Sequence, residues 1–117
     1  GPHLSISANG LPMGCVTSGP VSASAEVHGA KGDILHWIDA VGVVSEQLIE
    51  TDDWSSNYNG LPQRFLRAEI VAKASRDRLM AEIAAAIATG RAAAEMRGLD
   101  FSAQPIRRAI SNPIYID

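Results

Sequence analysis

A long run of apolar residues at helical spacing constrains the fold of this chain more than any other feature. Between Pro62 and Arg97, apolar side chains recur every three or four positions, as they do along one face of an α-helix. Pro62 suits the first helical position, where its missing N–H needs no partner, and Gly98 suits the left-handed position after a last turn. The pattern predicts a helix over residues 62–97, about 54 Å long at about 1.5 Å per residue, which can break near Gly90. The apolar stripe consists of Phe65, Ala68, Ala72, Leu79, Ile83 and Ile87.

The preceding segment repeats the same spacing. Asp33 can cap a helix, because its carboxylate accepts hydrogen bonds from the first free N–H groups. The apolar positions that follow are Ile34, Trp37, Ile38, Val41, Val44 and Leu48. This pattern predicts a helix over residues 33–51, with Trp37 in the core. Gly42 and the two β-branched valines after it leave room for a strand through the middle of that helix.

Small and polar residues separate the two predicted helices. The stretch from Asp52 to Gly60 has the composition of a loop, which predicts a connection over residues 52–61. It contains Trp54 and Tyr58, and aromatic residues outside a core are typical of contact surfaces. We therefore expect Trp54 and Tyr58 to contact a partner.

Residues 4–28 alternate between apolar and polar positions, which is typical of strands that are buried on one face. Asn9 and Gly10 tolerate positive φ and favour a tight hairpin turn. The clearest alternation runs from Val21 to His28, although its apolar positions are small. The pattern predicts a short β-hairpin or meander, with a mobile Ser/Gly-rich segment as the alternative.

These patterns together predict a single α+β domain that is dominated by helix. The predicted parts are a β-rich segment at 4–28, a helical hairpin made of 33–51 and 62–97, and an extended tail at 98–117. The alternative fold is all-α, with a disordered N-terminal segment. Gly1-Pro2-His3 is typical of the remnant of a cleaved purification tag, so residues 1–3 are set apart from the predicted domain over 4–117.

Composition limits the class of protein. A chain of 117 residues that is 46% apolar can bury a core without disulfides, and Cys15 has no second cysteine with which to pair. No apolar run reaches the length of a transmembrane helix. These features predict a soluble protein of a reducing compartment, most simply the cytoplasm. The excess of arginine over lysine and the abundance of alanine suggest a bacterial or phage genome.

Charge divides unevenly along the chain. Residues 1–60 carry a net charge of −6, and residues 61–117 carry +3. Such asymmetry can indicate nucleic-acid binding. The basic residues are interleaved with the acidic residues Glu69, Asp77, Glu82 and Glu95, which favours docking of the acidic half on the basic half. Nucleic-acid binding is therefore the alternative.

Motifs for chemistry are absent from the sequence. Cys15, His28 and His36 lack the spacing of a catalytic pair or a zinc site, and no glycine-rich phosphate loop occurs. We expect no catalytic, cofactor-binding or metal-binding residues, and no cofactor. The stretch from Met13 to Ser18 matches the N-myristoylation template, so a lipid anchor at Gly14 is expected only if that glycine becomes N-terminal.

A stripe of small residues on the predicted second helix suggests an interface. The stripe consists of Ala81, Ala85, Ala88 and Ala92, at spacings of four, three and four. Small side chains let helices approach closely, so we expect the chain to self-associate there, most simply as a two-fold dimer.

The expected function is that of a non-enzymatic interaction or assembly domain, an adaptor or inhibitor that binds itself and an unidentified protein. The first alternative is a small nucleic-acid-binding regulator. The second is an accessory subunit or an excised domain of a larger enzyme.

Overall fold

A computed structural model describes residues 1–90 and 106–117, and that part of the chain forms ten strands and one helix. The strands are β1 (His3–Ala8), β2 (Leu11–Pro12), β3 (Val16–Thr17), β4 (Val21–His28), β5 (Ile34–Ile38), β6 (Val43–Leu48), β7 (Asp53–Gly60), β8 (Phe65–Val71), β9 (Arg107–Ile110) and β10 (Ile114–Ile116), and the helix α1 spans Lys73–Ala88. The strands form two sheets around one apolar core. The prediction of a helix-dominated α+β domain is therefore wrong, as is its all-α alternative.

The four-stranded sheet follows from the alternation of residues 4–28. Its strand order is β2-β1-β4-β7, and all neighbouring strands are antiparallel. Asn9 and Gly10, with φ of 51° and 79°, close the β1–β2 hairpin as their sequence predicts. The predicted N-terminal strands are confirmed, except that β3 leaves this sheet and joins the other. His3 belongs to β1 and pairs with His28, while the origin of residues 1–3 in a tag stays a prediction.

The six-stranded sheet has β8 at its centre. Its order is β3-β10-β8-β5-β6, and β9 also pairs with β8. One edge of β8 carries β5, and the other carries β9 and then β10. Between these last two strands, Ser111 donates its N–H to the Ala68 carbonyl and accepts the Ala68 N–H at its hydroxyl, both at 2.9 Å. The outer strand β3 runs parallel to β10.

The predicted helix at 33–51 is a β-hairpin, β5 and β6, with a register irregularity between Trp37 and Ile38. Gly42 has a φ of 144°, which a residue with a side chain rarely adopts, and it lies in the connection between the two strands. Both faces of β5 are largely buried, and its residues are apolar except for the central His36. A run of that kind matches helical spacing as well as it matches a strand.

The predicted loop at 52–61 is the strand β7, and the predicted helix at 62–97 begins as the strand β8. Exposure alternates residue by residue along β7, which is the period of a strand. Its inward positions include Ser56 and Gly60, so the apolar signal is weak. Strand β8 is buried on both faces over most of its length and resembles a helical stripe for the same reason as β5. The helical hairpin is therefore wrong.

The part of the predicted second helix that forms is α1, and its last turn ends at Thr89. Gly90 follows with a φ of 75°, the left-handed conformation of a helix end. Residues 91–105, which include Ala92 and the predicted end of the helix at Arg97, lie outside the described part. The predicted extended tail is confirmed at β10, although β10 lies between two strands and is not an edge.

Trp37 fills the space between the sheets. It is fully buried, as predicted, and its ring stacks on Tyr58 with 5.9 Å between ring centroids and 29° between ring planes. Most of the surrounding core is aliphatic or alanine, which follows from an aromatic content of only 5%. One large ring therefore packs against both sheets.

We expect Trp37→Ala to lower the free energy of unfolding by about 3–5 kcal/mol, because the remaining core cannot fill the cavity. Trp54 is only half-buried at the edge of the same core, so Trp54→Ala should cost clearly less. Urea denaturation of the two variants and the parent measures the difference. Equal losses would contradict this assignment of the core.

Candidate interaction surface

The two outer faces of the sandwich differ in chemistry. The outward residues of the four-stranded sheet are mostly hydroxyl, amide and charged side chains: Ser5, Ser7, Ser22, Ser24, Glu26, His28, Ser55, Asn57 and Asn59. Leu11 is the only large hydrophobic residue exposed on the strands of that sheet, within residues 1–90 and 106–117. This face suits contact with water.

The strands of the six-stranded sheet expose far more apolar surface. Six large hydrophobic side chains are exposed on them: Val16, Val43, Val44, Leu48, Ile110 and Tyr115. Scattered exposed aliphatic residues are normal, but their concentration on one sheet is typical of a contact surface.

A row of one aliphatic and two aromatic side chains lies at one end of that sheet. Tyr115 on β10 is directly opposite Val16 on β3 and Phe65 on β8. Tyr115 and Val16 are 51% and 59% exposed, and Phe65 is half-buried. We call these three residues the Tyr115 row. Tyr115 donates its N–H to the Cys15 carbonyl at 2.9 Å, and its strand is paired on both sides, so its backbone loses little conformational freedom when a partner binds.

Arginines lie along the same sheet, with Arg64 and Arg67 next to Phe65 and Arg107 opposite Val71 at the far end of β8. Arg67 and Arg107 share the buried carboxylate of Glu69, which lies 3.4 Å from the Arg107 Nε. Arg108 pairs with Asp33, and Arg64 next to Phe65 is exposed. Asp117, which donates its N–H to the Thr17 carbonyl, adds an exposed carboxylate at the end of the sheet where Arg64 and Arg67 lie, so the charge beside the Tyr115 row is mixed with a small positive excess.

A buried aspartate organises a second exposed apolar region at the end of the sandwich. The Asp39 carboxylate accepts backbone N–H groups of Val41 at 2.8 Å, Gln63 at 2.9 Å and Gly42 at 3.3 Å. These bonds join the β5–β6 turn to the loop before β8. Burial of the Asp39 carboxylate tends to raise its pKa, but the three backbone donors outweigh burial, so its pKa lies below the ordinary value. The two joined loops expose Val41 (75%) and Leu61 (72%).

The predicted alanine stripe lies on the surface of α1. Ala81, Ala85 and Ala88 are exposed, and Ala92 lies outside the described residues. The first turn of α1 is tied to the sandwich by Arg76, which pairs with Glu46, and by Ser75, whose hydroxyl accepts the Ile106 N–H at 2.9 Å. The structure leaves the role of the stripe untested.

The predicted contact residues Trp54 and Tyr58 do not lie in a loop. Both face inward from β7 and pack, half-buried, against the core. A Cβ atom on Gly60 would lie 2.5 Å from the Tyr58 hydroxyl, so the tyrosine side chain occupies the space that glycine leaves. Their environment is that of an open sheet edge.

Gly14 lies within the fold, between β2 and β3, and donates its N–H to the Pro113 carbonyl at 2.8 Å. Making it N-terminal would remove β1, which supplies Leu4, Ile6 and Ala8 to the core. A lipid anchor at Gly14 would therefore require the loss of β1 from this fold, and it stays a prediction. In the described part of the chain, no helix is long and apolar enough to cross a membrane.

Neither the Tyr115 row nor the role of Asp39 is among the features that the sequence predicts. A signal for the row was present, because the alternation Ile114-Tyr115-Ile116 puts the tyrosine on the face opposite two isoleucines. Asp39 carried no comparable signal, since its role depends on Gln63, a residue far along the chain.

The comparisons with known proteins identify no relative: no family model, curated protein or solved structure matches the chain. Within residues 1–90 and 106–117, no three His, Cys, Asp or Glu side chains are grouped as metal ligands. The exposed apolar surfaces of the six-stranded sheet and of the loops joined by Asp39 are thus the features of this chain that bear on its function.

We expect Asp39→Ala to lower the free energy of unfolding at pH 7 by about 1–3 kcal/mol, because three N–H groups lose their acceptor. The folded-state pKa of Asp39 is depressed, so its contribution is present above the unfolded pKa and is lost as the pH falls through the lower, folded value. The difference between parent and variant should therefore shrink in acid.

Urea denaturation at pH 7 and at about pH 3, below the ordinary aspartate pKa, measures this difference. Asp52→Ala, a change at an exposed aspartate, is the matched control and should have little effect. A difference that is the same at both pH values would contradict the role of the ionised carboxylate.

Proposed function

We propose that this chain is a non-enzymatic protein-interaction domain that binds an apolar, acidic protein surface through the outer face of its six-stranded sheet. One observation carries the proposal: exposed apolar side chains are concentrated on that sheet and nearly missing from the other. The second sheet then serves as the solvated side of the domain.

The chemistry of the face indicates the kind of partner. Tyr115 offers an aromatic anchor, and aromatic residues on rigid backbones are frequent hot spots of protein interfaces. Arg64 and Arg67 beside Phe65, with Arg107 farther along β8, favour carboxylates around the apolar centre of the partner. Because the arginines outnumber their carboxylates, an acidic partner gains more than a basic one.

Nucleic-acid binding has less support. The guanidinium groups of Arg67, Arg76, Arg107 and Arg108 are engaged by carboxylates of this chain, as is the Lys73 ammonium. The small positive excess that remains is enough for a few carboxylates beside an apolar centre, but it is not the dense positive surface that phosphate contacts require. The exposed apolar side chains of the Tyr115 row would also find no apolar partner on the phosphate backbone of a nucleic acid.

The other expectations stay open proposals. Self-association through the alanine stripe of α1 is consistent with the exposure of Ala81, Ala85 and Ala88. A role as an accessory domain of a larger enzyme would use the same face against the rest of that protein. The cytoplasmic location, and the choice between adaptor and inhibitor, also remain predictions.

The test selects ligands from a phage-displayed library of random peptides on the immobilised protein. We expect the enriched peptides to combine aromatic or aliphatic residues with Asp and Glu. Titration of one such peptide into isotopically labelled protein should shift the backbone NMR signals of Val16, Phe65 and Tyr115.

Tyr115→Ala and Val16→Lys should each weaken binding of the selected peptide about tenfold or more. Leu11→Lys makes a matched change on the other sheet and should leave affinity unchanged. A library that yields no peptide, or a peptide that shifts only signals away from the six-stranded sheet, would refute the proposal.

A further inference from the structure

The free edge of the four-stranded sheet is long and regular. β7 pairs with β4 over eight consecutive residue pairs without a bulge, and its other edge faces no strand in the described part of the chain. Natural edge strands are usually short, charged, bulged or covered, because an open edge can pair with another strand. β7 between Trp54 and Gly60 contains neither proline nor a charged side chain.

The direction of the backbone groups along β7 follows from one hydrogen bond. The Gly29 N–H donates to the Asp52 carbonyl at 2.9 Å, so Asp52 faces β4. Backbone groups alternate in direction along an antiparallel strand. Ser55, Asn57 and Asn59 therefore point their N–H and C=O groups to the open side. The Asp53 carbonyl also points there, but it already accepts the Thr51 hydroxyl at 2.8 Å.

We infer that β7 pairs antiparallel with β7 of a second copy of this chain, about a two-fold axis at Asn57. The three residues with open backbone groups are symmetric about Asn57. A two-fold axis at Asn57 therefore puts Asn57 opposite its own copy and Ser55 opposite Asn59 of the other copy. Every open N–H and C=O of these residues then finds a partner.

The side chains agree with this pairing. A two-fold axis perpendicular to the sheet keeps inner faces together, so Trp54 lies opposite Gly60 of the other copy, and Ser56 lies opposite Tyr58. No two like charges become neighbours within the ladder, since residues 54–60 are uncharged. Trp54 and Tyr58 are half-buried although their neighbours on β4, Val27 and Ala23, are buried, and a second copy would cover them.

The edge strand β6 of the six-stranded sheet is a poorer candidate, and the edge strands β2 and β3 have only two residues each. β6 has a register irregularity at its pairing with β5, and Glu46 stands in its middle, held by His36 at 2.8 Å and by Arg76. A copy of β6 paired about its centre would bring the two Glu46 carboxylates together. The proposed dimer leaves the outer face of the six-stranded sheet free, so it does not depend on the proposed function.

Sedimentation equilibrium of the full chain over a range of concentrations should yield a mass of twice 12.4 kDa. In the dimer, the amide hydrogens of Ser55, Asn57 and Asn59 should exchange slowly, and their exchange should accelerate on dilution. Both readouts are needed, because only the second locates the contact at β7.

Asn57→Pro removes the central N–H and should weaken the dimer about 10- to 100-fold, while an edge strand tolerates proline. Asn57→Lys, which puts two ammonium groups opposite each other, should have a similar effect without altering the backbone. Asn57→Ala keeps the N–H and is the matched control, expected to remain dimeric. Circular dichroism checks that each variant is folded.

Three results would overturn the inference. One is a parent that stays monomeric at several hundred micromolar. Another is a dimer that survives both Asn57→Pro and Asn57→Lys. The third is a dimer that Ala85→Arg dissociates while the β7 amides exchange rapidly, since that result would assign the contact to α1.

Discussion

The burial of β8 on both faces imposes the constraint on which the rest of the sandwich depends. Leu66, Ala68 and Ile70 are fully buried, so the N–H and C=O groups of this strand cannot bind water. One edge of the strand is satisfied by β5. The other requires two short strands in succession, with Ser111 bridging the gap between them through its backbone and its hydroxyl. The position of the C-terminal strands, and through them of β3, follows from that requirement.

The same constraint explains which elements the sequence could reveal. In β1 and β4, alternate residues face water, and the period of two is readable from the chain alone. β5 and β8 interrupt their apolar residues only at His36 and at Arg67 and Glu69, and the apolar positions of both strands also fit the three- and four-residue spacing of a helix. The helices predicted at 33–51 and 62–97 arose from that ambiguity. The strand β7 was not predicted, for the opposite reason. Serine and glycine occupy half of its inward positions, so its apolar alternation is weak.

The candidate surfaces were predictable to a smaller extent. Trp54 and Tyr58 are recognisable in the sequence as aromatic residues in a polar stretch. Their location on an open edge depends on pairing with β4, which is distant in sequence. The Tyr115 row joins residues from three strands, two of them about a hundred positions apart along the chain. Asp39 likewise connects loops through backbone donors that have no characteristic residue type. Surfaces of this kind are products of topology and cannot be read from local spacing.

The parallel pairing of β3 with β10 has a consequence for biosynthesis. The partners of Val16 and Thr17, Tyr115 and Ile116, are made about a hundred residues after them. Until then, β8 lacks one neighbour and the apolar side chains of β5 and β8 stay open to solvent. Pairing over such a distance is slow to form because a long loop must close first. During translation, the nascent chain therefore exposes an incomplete core that is prone to aggregation until β9 and β10 have been added.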